Sequence, residues 1–203
     1  MLTLFDYMDS GNGYKVRLVL AQLGLPYKLV ECDILKGETR TPEFLERNPN
    51  GRIPTLRLND GSYLSESGAI IWYLAENTPL APKNRKSRAK TLQWMFFEQY
   101  SHEPYIAVAR FWKRYLPVLT PQQQTELPDR MKKGYAALDV MEKHLATRQF
   151  FVSESYGLAD IALYAYTHVA DEGGFDLSNH PNIDAWMKRV AAQPGHITIK
   201  HKN

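Results

Sequence analysis

The stretch that most constrains this chain is its start. Leu2 to Phe5 reads as a short buried strand, and a polar turn holding Ser10, Gly11, Asn12 and Gly13 follows. Val16, Val19, Leu20 and Leu23 then recur at helical spacing, which predicts an amphipathic helix over 13–24 that Gly24 stops. Tyr27 to Glu31 is a second strand candidate. Strand, crossover helix and strand in that order imply a parallel pair joined by a right-handed connection. A tight turn running from a strand into a helix start also aims backbone N–H groups at an anion, and the Ser10 hydroxyl and Asn12 amide are carried to the same place.

Further along, Thr41 to Arg47 predicts a short helix with Pro42 at its first position, and Asn48-Pro49-Asn50-Gly51 is turn chemistry. Arg52 to Leu58 reads as a strand near whose start Pro54 sits, because proline cannot donate to a ladder. The hairpin turn Asn59-Asp60-Gly61 leads into a brief antiparallel strand at Ser62 to Leu64. Ser65-Glu66-Ser67 then opens a helix carrying Ile70, Ile71 and Leu74. Residues 1–77 thus form a βαβ–ββα domain, and 78–86, with two prolines and no periodicity, a linker.

Residues 87–203 are expected to be an all-helical domain, with a scrap of strand conceivable only in the tail. Its helices run over 87–116, where Pro104 should kink or interrupt the helix; from Thr120-Pro121, irregular near Pro128, with Met131, Tyr135, Leu138 and Leu145 in register; then over 158–170 and 181–192. The fold class is therefore α/β plus all-α.

Composition narrows the function. The 25 basic residues are offset by 22 acidic ones scattered along the 203, which reads as a solvated surface and not as a nucleic-acid footprint. Apolar runs are broken by charge before a membrane span is reached, and Asp6 and Asp9 lie where a signal peptide would be basic and apolar. The expectation is a cytoplasmic protein that contacts neither membrane nor nucleic acid. The single cysteine, Cys32, excludes an intramolecular disulfide and a CxxC pair, and reads as a small buried strand residue. His102 beside Glu103 reads as a polar helix residue, and no metal constellation is present.

Three stretches, Asn50-Gly51-Arg52-Ile53-Pro54, Leu64-Ser65-Glu66-Ser67-Gly68-Ala69-Ile70 and Tyr156-Gly157-Leu158-Ala159-Asp160-Ile161, in this order and spacing, resemble the glutathione S-transferase family over essentially the whole chain. The resemblance implies a thioredoxin-like first domain in which Pro54 is cis and Ile53 offers its N–H and C=O to the cysteinyl backbone of glutathione. It implies that Glu66 meets the γ-glutamyl ammonium, that Ser67 and the free helix N–H groups meet the γ-glutamyl carboxylate, and that Arg52 meets the glycyl carboxylate. The plainer readings are an edge proline, helix capping by Ser65 or Ser67, and a surface arginine. In the second domain Gly157 stands where the family usually has Ser or Thr, with Asp160 kept; Asp160 is expected to be structural.

Glutathione must be a thiolate to attack, and lowering a thiol pKa by two units takes about 2.7 kcal/mol of preferential thiolate binding. One hydroxyl donor, a nearby amide N–H and the positive end of a helix are together of that size. Ser10 is the first choice for the hydroxyl, with Asn12 as helper, because counted back from Arg17 and Pro26 it resembles the catalytic serine of the theta-like branch; Tyr7, just after the first strand, is the competitor, near where other branches place a catalytic tyrosine. The motif Ser10-Gly11-Asn12-Gly13 is similar to the bacterial nu-type branch, a resemblance that implies reduction of disulfides with glutathione. The serine-plus-cysteine arrangement of the zeta branch is absent, no cysteine lies in the turn as in a glutaredoxin-like member, and Thr39 departs from the His or Gln often found there. Tyr7, Met8, Tyr105, Arg110 and Trp112 are candidates for the second-substrate pocket, though aromatics at helical spacing also read as core.

The expected activity is a glutathione transferase, with glutathione as co-substrate and no metal, acting on small hydrophobic electrophiles or disulfides. A glutathione-dependent disulfide reductase or peroxidase is the alternative within the same chemistry, and a non-catalytic interaction or ligand-carrying module the alternative outside it. The resemblance also implies a homodimer across the linker-proximal helices.

Overall fold

The computed structural model describes residues 1–201; Lys202 and Asn203, the last two of the expected helical domain, lie outside the described residues. The chain divides into two compact units, Met1–Ala81 with the tail that begins at Gln193, and Pro82–Ala192. The tail, expected with the helical half, packs with the first unit.

In the first unit β1 (Leu2–Asp6), α1 (Gly11–Gln22) and β2 (Tyr27–Glu31) form the crossover unit, and β1 and β2 pair in parallel with Leu4 opposite Leu29. After two short 3-10 turns that the residue pattern had not indicated, α2 (Pro42–Arg47) starts at Thr41, whose hydroxyl accepts the Phe44 N–H. The strands β3 (Thr55–Arg57) and β4 (Tyr63–Ser65) are antiparallel, and β3 also pairs antiparallel with β1, giving the order β2-β1-β3-β4. Pro54 lies just before β3, outside the ladder, where its missing N–H costs nothing.

Helix α3 (Ser67–Ala75) packs beside α1. Phe5, Cys32 and Phe44 make a separate buried cluster that takes in Val30 and Ile53. Burial pushes the Cys32 thiol up to about 11, so it is a packing residue and not a thiolate.

The tail contains no strand among its described residues; it is held by hydrogen bonds to α1. The Tyr14 hydroxyl donates to the Ile197 carbonyl at 2.7 Å and lies 3.2 Å from His196 Nε2, while Arg17 Nη1 donates to the Ile199 carbonyl at 2.7 Å. Ile199 is buried there.

The second unit is helical. It comprises α4 (Arg85–Phe97), a π-helical turn at Glu98–His102, α5 (Glu103–Tyr115), α6 (Pro121–Leu145), α7 (Leu158–Thr167) and α8 (Pro181–Ala191). The break expected at Pro104 is the π turn, which lets proline occupy the start of α5, where its absent N–H is no loss. At Pro128 the chain does not break: α6 continues through it from a capping box at Thr120 and Gln123. Every residue of α7 is buried, so this is the central helix of the unit.

Asp160 does the work expected of it inside this unit. Its Oδ2 accepts the Gly157 N–H at 3.1 Å, and its Oδ1 accepts the Phe151 N–H at 3.1 Å and the Trp186 indole N–H at 2.9 Å. One carboxylate thereby caps α7 and ties it to the preceding loop and to α8. Among the described residues no helix is long and apolar enough to cross a membrane.

Candidate functional site

The opening turn is built by hydrogen bonds of its own chain. The Ser10 N–H donates to the Tyr7 carbonyl at 2.8 Å, and Ser10, in extended conformation, is the N-cap of α1, its Oγ accepting the Gly13 N–H at 3.3 Å. A hydroxyl that accepts from a helix N–H keeps its own proton to donate. Gly13 is required by packing: a Cβ there would fall inside the carboxylate of Asp6. Gly13→Ala is therefore expected to cost about 1–3 kcal/mol of stability by overpacking, read from the midpoint of urea unfolding.

Beneath the turn lies a buried ion pair. Asp6 and Arg17 are both fully buried, with Arg17 Nε donating to Asp6 Oδ2 at 2.9 Å. Arg17 Nη2 also donates to the Met8 carbonyl at 2.6 Å, so one guanidinium joins the end of β1, the turn before Ser10 and the tail. Burial raises the Asp6 carboxyl to about 6 even though Arg17 pulls the other way.

Asn12 is fixed by two donors to its amide oxygen: Lys15 Nζ at 2.7 Å and the Ser67 hydroxyl at 3.3 Å. The second bond joins the start of α1 to the start of α3. Lys15 and Ser67 are both buried, whereas Glu66, just before Ser67, is exposed. Glu66 has φ +68°, a left-handed backbone that side chains rarely adopt and that often marks a functional position.

The third segment is locked from behind. The Ile53-Pro54 peptide is cis. The Arg52 carbonyl accepts from Asn48 Nδ2 at 2.8 Å and from the Thr55 hydroxyl at 3.1 Å, and both Asn48 and Thr55 are buried. Arg52 is exposed, Ile53 half-buried and Pro54 buried, and Thr39 is buried nearby in sequence to Arg40, whose Nη1 donates to the Asn50 carbonyl at 2.9 Å.

The first unit thus brings Ser10, Asn12 and Ser67 together by direct or adjacent hydrogen bonds, with Glu66 and the Ile53-Pro54 edge on neighbouring elements. Of the remaining candidates, Tyr7 and Met8 line a cavity of about 260 Å³ with Asp9, Glu31 and Lys200. That lining is mostly charged, not the apolar wall a small hydrophobic electrophile calls for. In the helical unit Arg110 is buried with Nε 2.7 Å from Glu172, Trp112 is buried under the Arg130 guanidinium at 4.6 Å, and half-buried Tyr105 carries the Lys133 ammonium 5.6 Å from its ring. These three side chains all take part in the packing of their own unit. No cluster of His, Cys, Asp and Glu fit for a metal occurs among the described residues.

Lys15, Arg17, Asn48 and Thr55 were not picked out as site-building residues from sequence. Only the burial of charge inside a predicted amphipathic helix could have pointed to the first two, since Lys and Arg are almost never fully buried unless paired.

Comparison with known proteins agrees with this architecture. Residues 4–83 match the glutathione S-transferase N-terminal domain, and residues 91–194 the C-terminal domain. The disulfide-bond oxidoreductase YfcG of Escherichia coli K12 is 30% identical over 201 residues, covering 96% of this chain and 92% of that protein. A glutathione S-transferase structure from Pseudomonas fluorescens Pf-5 superposes with a TM-score of 0.95 at 52% identity, covering 98% of each chain. The glutathione transferase URE2P6 of Phanerochaete chrysosporium, solved with oxidised glutathione, has a TM-score of 0.85 at 29% identity, over 96% of this chain and 92% of that one. With both domain models matched in order and a turn, a cis-proline edge and a helix start assembled on one sheet, the chain belongs to the glutathione S-transferase family.

Proposed function

We propose that this protein binds glutathione on its first unit and holds the thiol as a thiolate, which then attacks a disulfide or an electrophilic carbon. The observation that carries the reading is the hydrogen bond from Ser67 to Asn12, which draws two motifs separated by 55 positions into one polar site. Ser10 donates its hydroxyl proton to the sulfur, Asn12 its amide N–H, and the N-terminus of α1 adds its positive end. The Ser67 backbone N–H and the other free N–H groups at the start of α3 take the γ-glutamyl carboxylate while the Ser67 hydroxyl stays on Asn12; Glu66 takes the ammonium, the Ile53 backbone the cysteinyl unit, and Arg52 the glycyl carboxylate.

On binding, the thiol proton leaves to solvent. With a carbon electrophile the sulfur forms a C–S bond while the leaving group departs with its electron pair. With a disulfide RSSR the thiolate forms the mixed disulfide and releases RS⁻; a second glutathione thiolate attacks the glutathione sulfur of that mixed disulfide, giving oxidised glutathione and a second RS⁻. The disulfide route is favoured by the charged wall at Tyr7, Met8, Asp9, Glu31 and Lys200, which suits a polar partner better than an apolar one, and by the similarity to a disulfide-bond oxidoreductase.

Ultraviolet titration of bound glutathione tests the site. Thiolate absorbance should develop well below the free-thiol pKa of about 8.5. Failure to bind at millimolar glutathione, or an unshifted thiol, sinks the enzyme reading and leaves the non-catalytic module. Ser10→Ala should raise the bound thiol pKa by about 1–2 units, the worth of one hydrogen bond to a charged acceptor. An unchanged value transfers the role to Tyr7 or Asn12. Turnover of 2-hydroxyethyl disulfide against 1-chloro-2,4-dinitrobenzene separates reduction from conjugation, the former being expected to dominate.

A further inference from the structure

Lys15 is 1% exposed, and its Nζ lies 2.7 Å from Asn12 Oδ1. A buried lysine is uncommon without a specific partner, and this one is engaged with the side chain that the proposed mechanism needs as an amide donor. An amide oxygen accepts about two hydrogen bonds. Here Lys15 Nζ and the Ser67 hydroxyl supply both.

Two consequences follow for Asn12. Its amide cannot flip without turning an N–H toward two donors, so oxygen and nitrogen are assigned to opposite sides of the side chain. A cation on the amide oxygen also draws electron density from the nitrogen, which makes the N–H end a stronger donor. Lys15 lies one helical turn after Asn12 on α1, so the same short helix that presents the amide also carries the group that orients it.

We propose that Lys15 is a positioning residue for glutathione activation: through Asn12 Oδ1 it holds and polarises the amide that donates to the glutathione sulfur. The inference rests on the glutathione-site reading above. The other charges in and around this turn are Asp6 and Arg17, paired with each other, and Asp9 just before Ser10, while Glu66 stands at the start of α3. These groups are common to every variant below and cancel in the comparison.

The experiment compares the parent with Lys15→Met and Lys15→Gln, in the full chain, using glutathione and S-methylglutathione, whose sulfur cannot ionise. Lys15→Met should raise the pKa of bound glutathione by about one unit, a tenfold loss of thiolate near neutral pH, while leaving S-methylglutathione affinity unchanged. Lys15→Gln, which keeps a donor for Asn12 but not the charge, should fall between. In an Asn12→Ala background, Lys15→Met should add nothing.

An unaltered thiol pKa in Lys15→Met overturns the proposal, as does an equal loss of affinity for both ligands, which is the signature of a merely structural lysine. The same rise in the Asn12→Ala background overturns it too, because the action would not pass through Asn12. Should Lys15→Met not fold by circular dichroism, Lys15→Gln decides on the same pKa readout. If the parent itself neither binds glutathione nor lowers its thiol pKa, the site reading fails first and this inference with it; a normal parent with an unresponsive Lys15→Met condemns the lysine alone.

Discussion

Arg17→Met should destabilise the protein by about 3–5 kcal/mol at neutral pH, measured by urea unfolding, because it leaves the Asp6 carboxylate buried without its cation. Asp6 is fully buried, and Arg17 supplies the only ion pair recorded for it among the described residues. The substitution also strips donors from the Met8 and Ile199 carbonyls, the first of which lies in the turn that leads to Ser10. Bound thiol pKa should therefore rise along with the loss of stability.

The cost should depend on pH in a defined direction. Asp6 is raised from 3.8 to about 6 in the folded protein by burial, against the pull of Arg17. A carboxyl with a raised folded pKa contributes its full stability below its unfolded pKa and loses it as pH rises through the folded value. Removing Arg17 pushes that value higher still, so the variant's deficit should be smallest near pH 4 and grow above about pH 6. A deficit that is flat with pH would show that lost packing and lost carbonyl donors, and not the stranded carboxylate, dominate. Arg17→Lys should recover only part of the loss, since one ammonium cannot span three acceptors as the planar guanidinium does.

Asp160→Ala should be comparably severe in the helical unit, at about 3–5 kcal/mol, because three donors lose one acceptor. Phe151 N–H, Gly157 N–H and the Trp186 indole all converge on this buried carboxylate. Asp160→Asn should be milder. Its remaining oxygen still serves Phe151 and Trp186, but an NH₂ group faces the Gly157 N–H, where two donors meet.

Burial raises Asp160 to about 7. By the same sign rule its contribution is complete below about pH 4 and falls as pH approaches 7, so the advantage of the parent over Asp160→Asn should narrow across that range in thermal or urea unfolding. A gap that widens with pH would mean that the three N–H donors outweigh burial in setting this carboxyl's pKa. Catalytic parameters of the folded Asp160→Asn protein should stay near those of the parent, in keeping with a capping role.

What local pattern determined is clear element by element. Tyr27–Glu31 and Pro42–Arg47 are strand and helix as read, because alternation, a Thr cap and an N1 proline act within a few residues. The Asn59-Asp60-Gly61 turn does join antiparallel β3 and β4. The helix predicted over 13–24 begins at Gly11 instead, since the Ser10 cap outweighs the apolar period in setting the start. Pro128 misled because a single proline can be carried in a long helix whose packing is otherwise satisfied.

The sequence by itself determined the order of elements and the residue types of the opening turn, since capping, turn chemistry and hydrophobic period are local. Only the tertiary structure decided which polar groups face one another. A lysine, an arginine and a tyrosine on one helix look alike in a string of letters. Here Lys15 turns to Asn12, Arg17 to Asp6, Met8 and Ile199, and Tyr14 to the tail at Ile197. The Lys15–Asn12 pair is one turn of α1 and local, but the partners of Arg17 and Tyr14 lie from 9 to 183 positions away, and no local energy encodes them. They arise because folding removes water from these groups, and a desolvated charge or hydroxyl must find its bond in whatever part of the chain is brought beside it.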